Sequence, residues 1–181
     1  MKRFLVFLFF CLTGLGIQAQ DEEIQDRRAN QKYEAPPVEK GERNEHGEKT
    51  GEWKSYYQNG KLCSIGTYKK GKQKGEWRNY HNNGQLHNIA TYKKGKITGE
   101  WKNYYLNGQL QEIGNYDKGQ PAGEWKSCDA SGNLTEIVKY ENGQRNGEQK
   151  AYYANGQLKY FSILKNGQLA GPLKLYYENG H

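Results

Sequence analysis

Cysteine is scarce in this chain of 181 residues: there are three, Cys11, Cys63 and Cys128. A small disulfide-stapled scaffold is therefore excluded, because such folds need several paired cysteines for their size. Histidine is also sparse. His46, His81, His87 and His181 are spread so that no pair has metal-ligand spacing with a cysteine or carboxylate in support, so no metal centre is expected. There is no Gly-x-Ser-x-Gly elbow and no phosphate-binding loop, which removes the commonest signatures of hydrolases and nucleotide enzymes. No cofactor site and no enzymatic activity are expected.

Long apolar runs are confined to the N-terminus. Met1, Lys2 and Arg3 precede an apolar stretch from Phe4 to Leu12, and Ala19 stands just before the acidic cluster Asp21-Glu22-Glu23. That is the three-part layout of a secretory signal peptide over residues 1–19, and the stretch is shorter than the roughly 20 residues a spanning helix needs. Export to the periplasm, the cell envelope or the exterior is expected, with a retained N-terminal anchor as the alternative. Cys11 lies inside the apolar run behind Phe9 and Phe10, not behind the small residues of a lipid attachment site. Without Lys2 and Arg3 the chain has 25 basic against 20 acidic residues, a mild excess of +5. Lysine and glutamate alternate along the sequence instead of forming one block, so nucleic acid is not an expected partner.

Glycine and aromatic residues are abundant: 23 Gly, 15 Tyr, 4 Trp and 5 Phe. They recur in strict phase. Gly51, Gly75, Gly99, Gly123, Gly147 and Gly171 are spaced by 24, as are Gly60 to Gly180 and Gly71 to Gly167. Trp53, Trp77, Trp101 and Trp125 follow the first series by two, and Tyr56, Tyr80, Tyr104, Tyr152 and Tyr176 follow it by five. Leu62, Ile65 and Tyr68 head three further ladders.

Asn-Gly between aromatic and β-branched runs is the strongest short-range hairpin signal. It predicts two-residue type I′ turns at Asn59-Gly60 and its copies, with somewhat longer return connections near Lys70-Gly71. The expected fold is all-β: one elongated antiparallel sheet of tandem 24-residue hairpins over residues 46–181, of about eleven strands, preceded by a polar tail over residues 20–45. Helices are poorly supported, because a glycine arrives too often for a stable one to fit between turns. The steps of three from Trp53 to Tyr56 and from Leu62 to Ile65 to Tyr68 break simple alternation, so either a bulge resets the parity or both faces carry aromatic ladders. On this meander Cys63 and Cys128 lie five strands apart, about 24 Å, beyond the roughly 7 Å a disulfide allows.

The segment Tyr68-Lys69-Lys70-Gly71-Lys72-Gln73-Lys74-Gly75-Glu76-Trp77, joined to Tyr-Tyr-x-Asn-Gly-x-Leu, resembles the MORN-repeat variant of bacterial proteins. The resemblance extends over about residues 46–181. It implies a MORN-like β-hairpin array, and proteins of the similar YwqK type are described as antitoxins, which implies binding and neutralising a partner.

The functional expectation is a non-catalytic binding or scaffold module that engages a protein. Its expected anchors are an aromatic face of Trp53, Trp77, Trp101, Trp125, Tyr56, Tyr80, Tyr104 and Tyr152. The recurrent Glu52–Lys54 pattern reads as solubilising ion pairs. An envelope glycan or an anionic lipid surface is the alternative ligand, since rings also stack on sugars and sit at headgroups. Pro172 blunts the last strand, and Leu173, Leu175, Tyr176 and Tyr177 form an apolar end, either a cap or a docking edge.

Overall fold

The computed structural model describes residues 37–180. The expected signal peptide and the first part of the expected tail lie outside the described residues. The unit that begins at Pro37 is a single antiparallel sheet of 13 strands in meander order. The strands are β1 Val38–Arg43, β2 Lys49–Tyr56, β3 Leu62–Lys69, β4 Lys72–Tyr80, β5 Leu86–Lys93, β6 Lys96–Tyr104, β7 Leu110–Asp117, β8 Gln120–Cys128, β9 Leu134–Glu141, β10 Gln144–Tyr152, β11 Leu158–Lys165, β12 Gln168–Leu169 and β13 Lys174–Leu175. No helix occurs among the described residues.

The sheet starts earlier than expected: β1 falls within the presumed tail and pairs with β2, Gly41 opposite Trp53. Lys40 stands over the Tyr56 ring at 5.3 Å, and Glu39 pairs with Lys49 at 2.7 Å. The final strand is split. Both β12 and β13 pair with β11, and the break between them contains Pro172, which has no N–H to donate. These two departures account for 13 strands instead of about eleven.

The two kinds of turn are the reverse of the expected ones. At the Asn-Gly tips, Gly60 N–H donates to Tyr57 O, and Tyr57 N–H donates to Lys61 O. Only the glycine, φ 79°, is left-handed. This is a three-residue loop, a type I turn closed by a glycine bulge, and it does not need positive φ at asparagine. The tight two-residue turns are the return connections, where Lys69 pairs with Lys72 and both Lys70 (φ 51°) and Gly71 (φ 70°) are left-handed. Gly51, Gly75, Gly99, Gly123 and Gly147 sit inside strands rather than in turns, and Gly171 falls in the break between β12 and β13. At the five inside strands φ is again positive, and at Gly75 the register slips between Ile65 and Thr67, a bulge that turns Trp77 onto the neighbouring strand.

Hairpins are fastened to their neighbours both at the Asn-Gly tips and at the return turns. The Asn59 amide donates to Asn82 O at 3.1 Å, and the Tyr57 hydroxyl donates to Tyr80 O at 2.6 Å. Asn83, Asn107 and Asn155 repeat the first bond, and Tyr105 and Tyr153 the second. At the other end, Gly71 N–H donates to Lys49 O, and Gly95, Gly119, Gly143 and Gly167 follow suit. Stability is thus a chain of nearest-neighbour terms, as in repeat proteins generally.

Candidate binding surfaces

The two faces of the sheet differ, and the parity question resolves into both of its alternatives at once. Bulges at Ser55/Tyr56 and between Ile65 and Thr67 reset the alternation. Consequently Trp53 and Tyr68 lie on one face, while Tyr56, Leu62 and Ile65 lie on the other.

On the first face each indole lies flat on the backbone of the preceding strand. A Cβ added to Gly66 would stand 2.2 Å from Trp77 Cδ2, and one added to Gly114 would stand 2.1 Å from Trp125 Cδ2. Tyrosines close the sides edge-on, with Trp53–Tyr68 at 5.8 Å, Tyr68–Trp77 at 5.0 Å and Tyr116–Trp125 at 5.2 Å. Trp53, Trp77 and Trp125 are only 6%, 5% and 4% exposed. They are the core, so they do not offer ring faces to a partner, which corrects the expectation of a tryptophan binding surface.

Trp101 is the exception and is half-buried. Its neighbour is Ala90, whose methyl occupies the cradle. Ala90 pairs directly with Trp101, and the bulge moves one step on. The Trp101 ring tilts toward Trp125 at 5.4 Å. Two repeats after Ala90 the cradle holds Val138, and the residue across from it on β10 is Gln149 instead of tryptophan. Cations cover both ends of the ladder. Lys49 lies 4.2 Å from Trp53, and Arg145 lies 6.0 Å from Tyr140 while donating to its hydroxyl at 3.2 Å.

Beside the ladder runs a polar row. Ser55 and Ser64 hydroxyls meet at 2.6 Å, Asn79 donates to Asn88 at 2.7 Å, Asn103 donates to Gln111 at 2.7 Å, and Gln149 joins Glu136 to the Tyr160 hydroxyl. Burial pushes the Glu112 carboxyl above the usual carboxylate range, and burial raises the Tyr92 and Tyr116 phenols. The structure also brings together two histidines that occupy different slots of the repeat: His81 and His87 stack at 4.3 Å. His81 Nε2 lies 2.9 Å from Tyr104 O, the place of the tyrosine hydroxyl in other repeats. Among the described residues no group of three His, Cys, Asp or Glu side chains is placed to hold a metal. Cys63 on β3 and Cys128 on β8 are free thiols.

The second face is the open one. Tyr56, Tyr80, Tyr104 and Tyr152 are half-buried there, alongside the Leu62 and Ile65 ladders. Each repeat adds an ion pair between residues two apart: Glu52–Lys54 at 2.8 Å, Glu76–Arg78 at 2.6 Å, Glu100–Lys102 at 2.6 Å, Glu124–Lys126 at 3.2 Å and Glu148–Lys150 at 2.8 Å. Such exposed pairs contribute little stability, about 0–1 kcal/mol each, and act chiefly to keep the surface soluble. The sheet ends in an apolar corner. Leu175 is 73% exposed, Tyr177 is 76% exposed, and Leu173 is exposed as well, while Tyr176 is half-buried and donates its N–H to Lys159 O.

An open sheet of tandem hairpins, each coupled to its neighbours, has the architecture of a repeat protein. Comparison with known families agrees: residues 49–70, 73–94, 97–118 and 145–160 match the MORN repeat variant. The chain carries at least these four repeats. The hairpin β8–β9 falls between the matched segments yet keeps the same fold, because Asp129 takes the tip slot and accepts from the N–H groups of Ser131 and Asn133 at 2.9 Å. No curated protein matches the chain.

Among solved structures, a chain of the structure of accessory secretory protein 1,2 and 3 in Streptococcus pneumoniae is similar over 49% of this chain and 17% of that one, at 22% identity and a TM-score of 0.33. TarM of S. aureus is similar over 83% of this chain and 24% of its own, at 13% identity and a TM-score of 0.34. The chain spans less than a quarter of the length of each. The repeats and the sheet together indicate a binding or scaffold role.

Proposed function

We propose that the protein binds a protein partner through the face bearing Tyr56, Tyr80, Tyr104 and Tyr152, after export. The observation that carries this reading is the recurrence, in four of the five hairpins from β2 to β11, of a half-exposed tyrosine (Tyr56, Tyr80, Tyr104, Tyr152) beside leucine and isoleucine or phenylalanine, next to a glutamate paired with lysine or arginine. Half-exposed aromatics ringed by charge are the usual make-up of protein interfaces. An antitoxin-like role is a narrower form of the same reading, in which the partner is a toxin held inactive.

The test is affinity capture from an envelope fraction with the wild-type chain and with Tyr80→Ser/Tyr104→Ser. A stoichiometric protein retained by the first and lost by the second supports the proposal. Retention on polysaccharide or anionic lipid, with no protein captured, overturns it in favour of a glycan or phospholipid surface. The exposure of Leu173, Leu175 and Tyr177 favours a second contact at the β13 edge. Light scattering on Leu173→Lys then shows a lower mass or a lost partner, and an unchanged complex ends that part of the reading.

A further inference from the structure

Charge that alternates along the sequence becomes segregated in space. The return turns β3–β4, β5–β6 and β7–β8 are adjacent along one long edge of the sheet, with neighbouring turns about 10 Å apart, two strand spacings. The first carries Lys69, Lys70, Lys72 and Lys74. The second carries Lys93, Lys94 and Lys96, and the third carries Lys118 next to Asp117. All eight lysines are exposed, and among the described residues none joins an ion pair. Lys93, Lys94, Lys96, Thr98, Asp117 and Lys118 line a shallow depression between the second and third turns. The opposite edge, with the tips Tyr57–Lys61, His81–Gln85 and Tyr105–Gln109, has a single lysine, Lys61.

Two features show that this charge works against the fold. Lys69 faces Lys72 and Lys93 faces Lys96 in the closing pair of each turn, and like charges directly opposite are destabilising. Lys70, Lys94 and Lys118 also hold left-handed backbone, with φ of 51°, 54° and 51°. Asparagine adopts that region more readily. The protein itself uses asparagine in this slot in the next two turns, at Asn142 (φ 50°) and Asn166 (φ 53°). Lysine is thus kept where both backbone and electrostatics favour something else, and only in three consecutive turns.

We propose that this rim is a binding site for a linear phosphate polymer. Compact ammonium groups in a row suit phosphate as point charges. The turn residues 69–74, 93–96 and 117–120 bear no ring on which a base could stack, so the site reads charge and spacing alone. The surface is distinct from the Tyr56 face and does not depend on what that face binds.

The test uses the full chain and long-chain inorganic polyphosphate, with affinity measured between 50 and 200 mM salt. If all eight lysines engage, counterion release of about 0.7 per phosphate on a single strand gives a slope of log K against log salt of about −6. The variant Lys70→Asn/Lys94→Asn/Lys118→Asn copies the turns at Asn142 and Asn166 and so keeps the fold. It should lower affinity at 50 mM salt by at least about tenfold and bring the slope to about −4. Lys61→Gln, which copies Gln85 at the opposite edge, should leave both unchanged. No binding at 50 mM salt, or an unchanged slope in the triple variant, overturns the proposal. Tighter lysine-dependent binding to polyglutamate or to phosphatidylglycerol vesicles also overturns it, in favour of a carboxylate or membrane ligand.

Discussion

The glycine beneath each indole offers the sharpest perturbation. In Gly114→Val the new Cβ would lie 2.1 Å from Trp125 Cδ2 and 2.3 Å from Cε2, whereas carbon atoms rest at about 3.5–4.0 Å. The ring must therefore lift by about 1.5 Å or leave the cradle. Overpacking of this sort costs about 1–3 kcal/mol, and full exposure of a large buried side chain costs about as much, so a loss of about 2–3 kcal/mol is expected. Gly114→Ala should cost less, about 1 kcal/mol, because Ala90 shows how the sheet accommodates a methyl: the bulge shifts and the ring tilts. The double variant Gly114→Val/Trp125→Gln recreates the Val138–Gln149 pairing, and its loss should fall well short of the sum of the two single losses. Urea unfolding followed by far-ultraviolet circular dichroism measures all five proteins: the wild type, Gly114→Val, Gly114→Ala, Trp125→Gln and the double variant. Wild-type stability in Gly114→Val, or strict additivity in the double variant, would refute the reasoning.

Other consequences are as concrete. Asn107→Ala removes the bond from the tip amide to Ala130 O, 2.7 Å, and the cap on Gln109 N–H; a loss of about 1–2 kcal/mol is expected by urea unfolding. Burial, and then the neighbouring His81, hold the His87 imidazole below its ordinary 6.5. The unfolded chain therefore binds more protons in the window just below 6.5, so stability is complete above that window and falls as pH drops through it. His87→Gln, which copies Gln111, should flatten this dependence in melting curves across that range. Thiol titration of the denatured monomer should find Cys63 and Cys128 both reactive, since β3 and β8 are separated by about 24 Å; an absent thiol signal would contradict the strand order.

Much of this architecture is legible in the sequence, for a physical reason. A period of 24 with no insertion leaves room for only two short strands and two turns per repeat, and no helix fits between the glycines. What period and residue type do not fix is geometry within the repeat. Asn-Gly is compatible with both the two-residue and the three-residue loop, and it is Lys70-Gly71, not Asn59-Gly60, that takes the two-residue form with both residues left-handed. The steps of three signal a bulge or two aromatic faces, but not that the bulge at Gly75 turns the indole onto the neighbouring strand.

A clue was present nonetheless. Gly66, Ala90 and Gly114 each precede a tryptophan by eleven residues, and where that position becomes Val138 the tryptophan becomes Gln149. Strand β1 is signalled only by His46-Gly47-Glu48-Lys49-Thr50-Gly51, which copies a return connection and implies a degenerate half-hairpin before it; its bounds are not legible because it lacks the aromatic signature and keeps only the glycine, Gly41, beneath Trp53. The lysine rim was invisible because residues 24 apart in sequence become neighbours only once the meander is built.

The central claim is that the tryptophans form a buried ladder on glycine cradles, leaving the other face of the sheet free to bind. Labelling the four tryptophans with 5-fluorotryptophan and recording the solvent isotope shift of each fluorine resonance tests it directly. Three resonances should show little shift, those of Trp53, Trp77 and Trp125, and one should show an intermediate shift, that of Trp101. Four resonances with the shift of the free amino acid would contradict it.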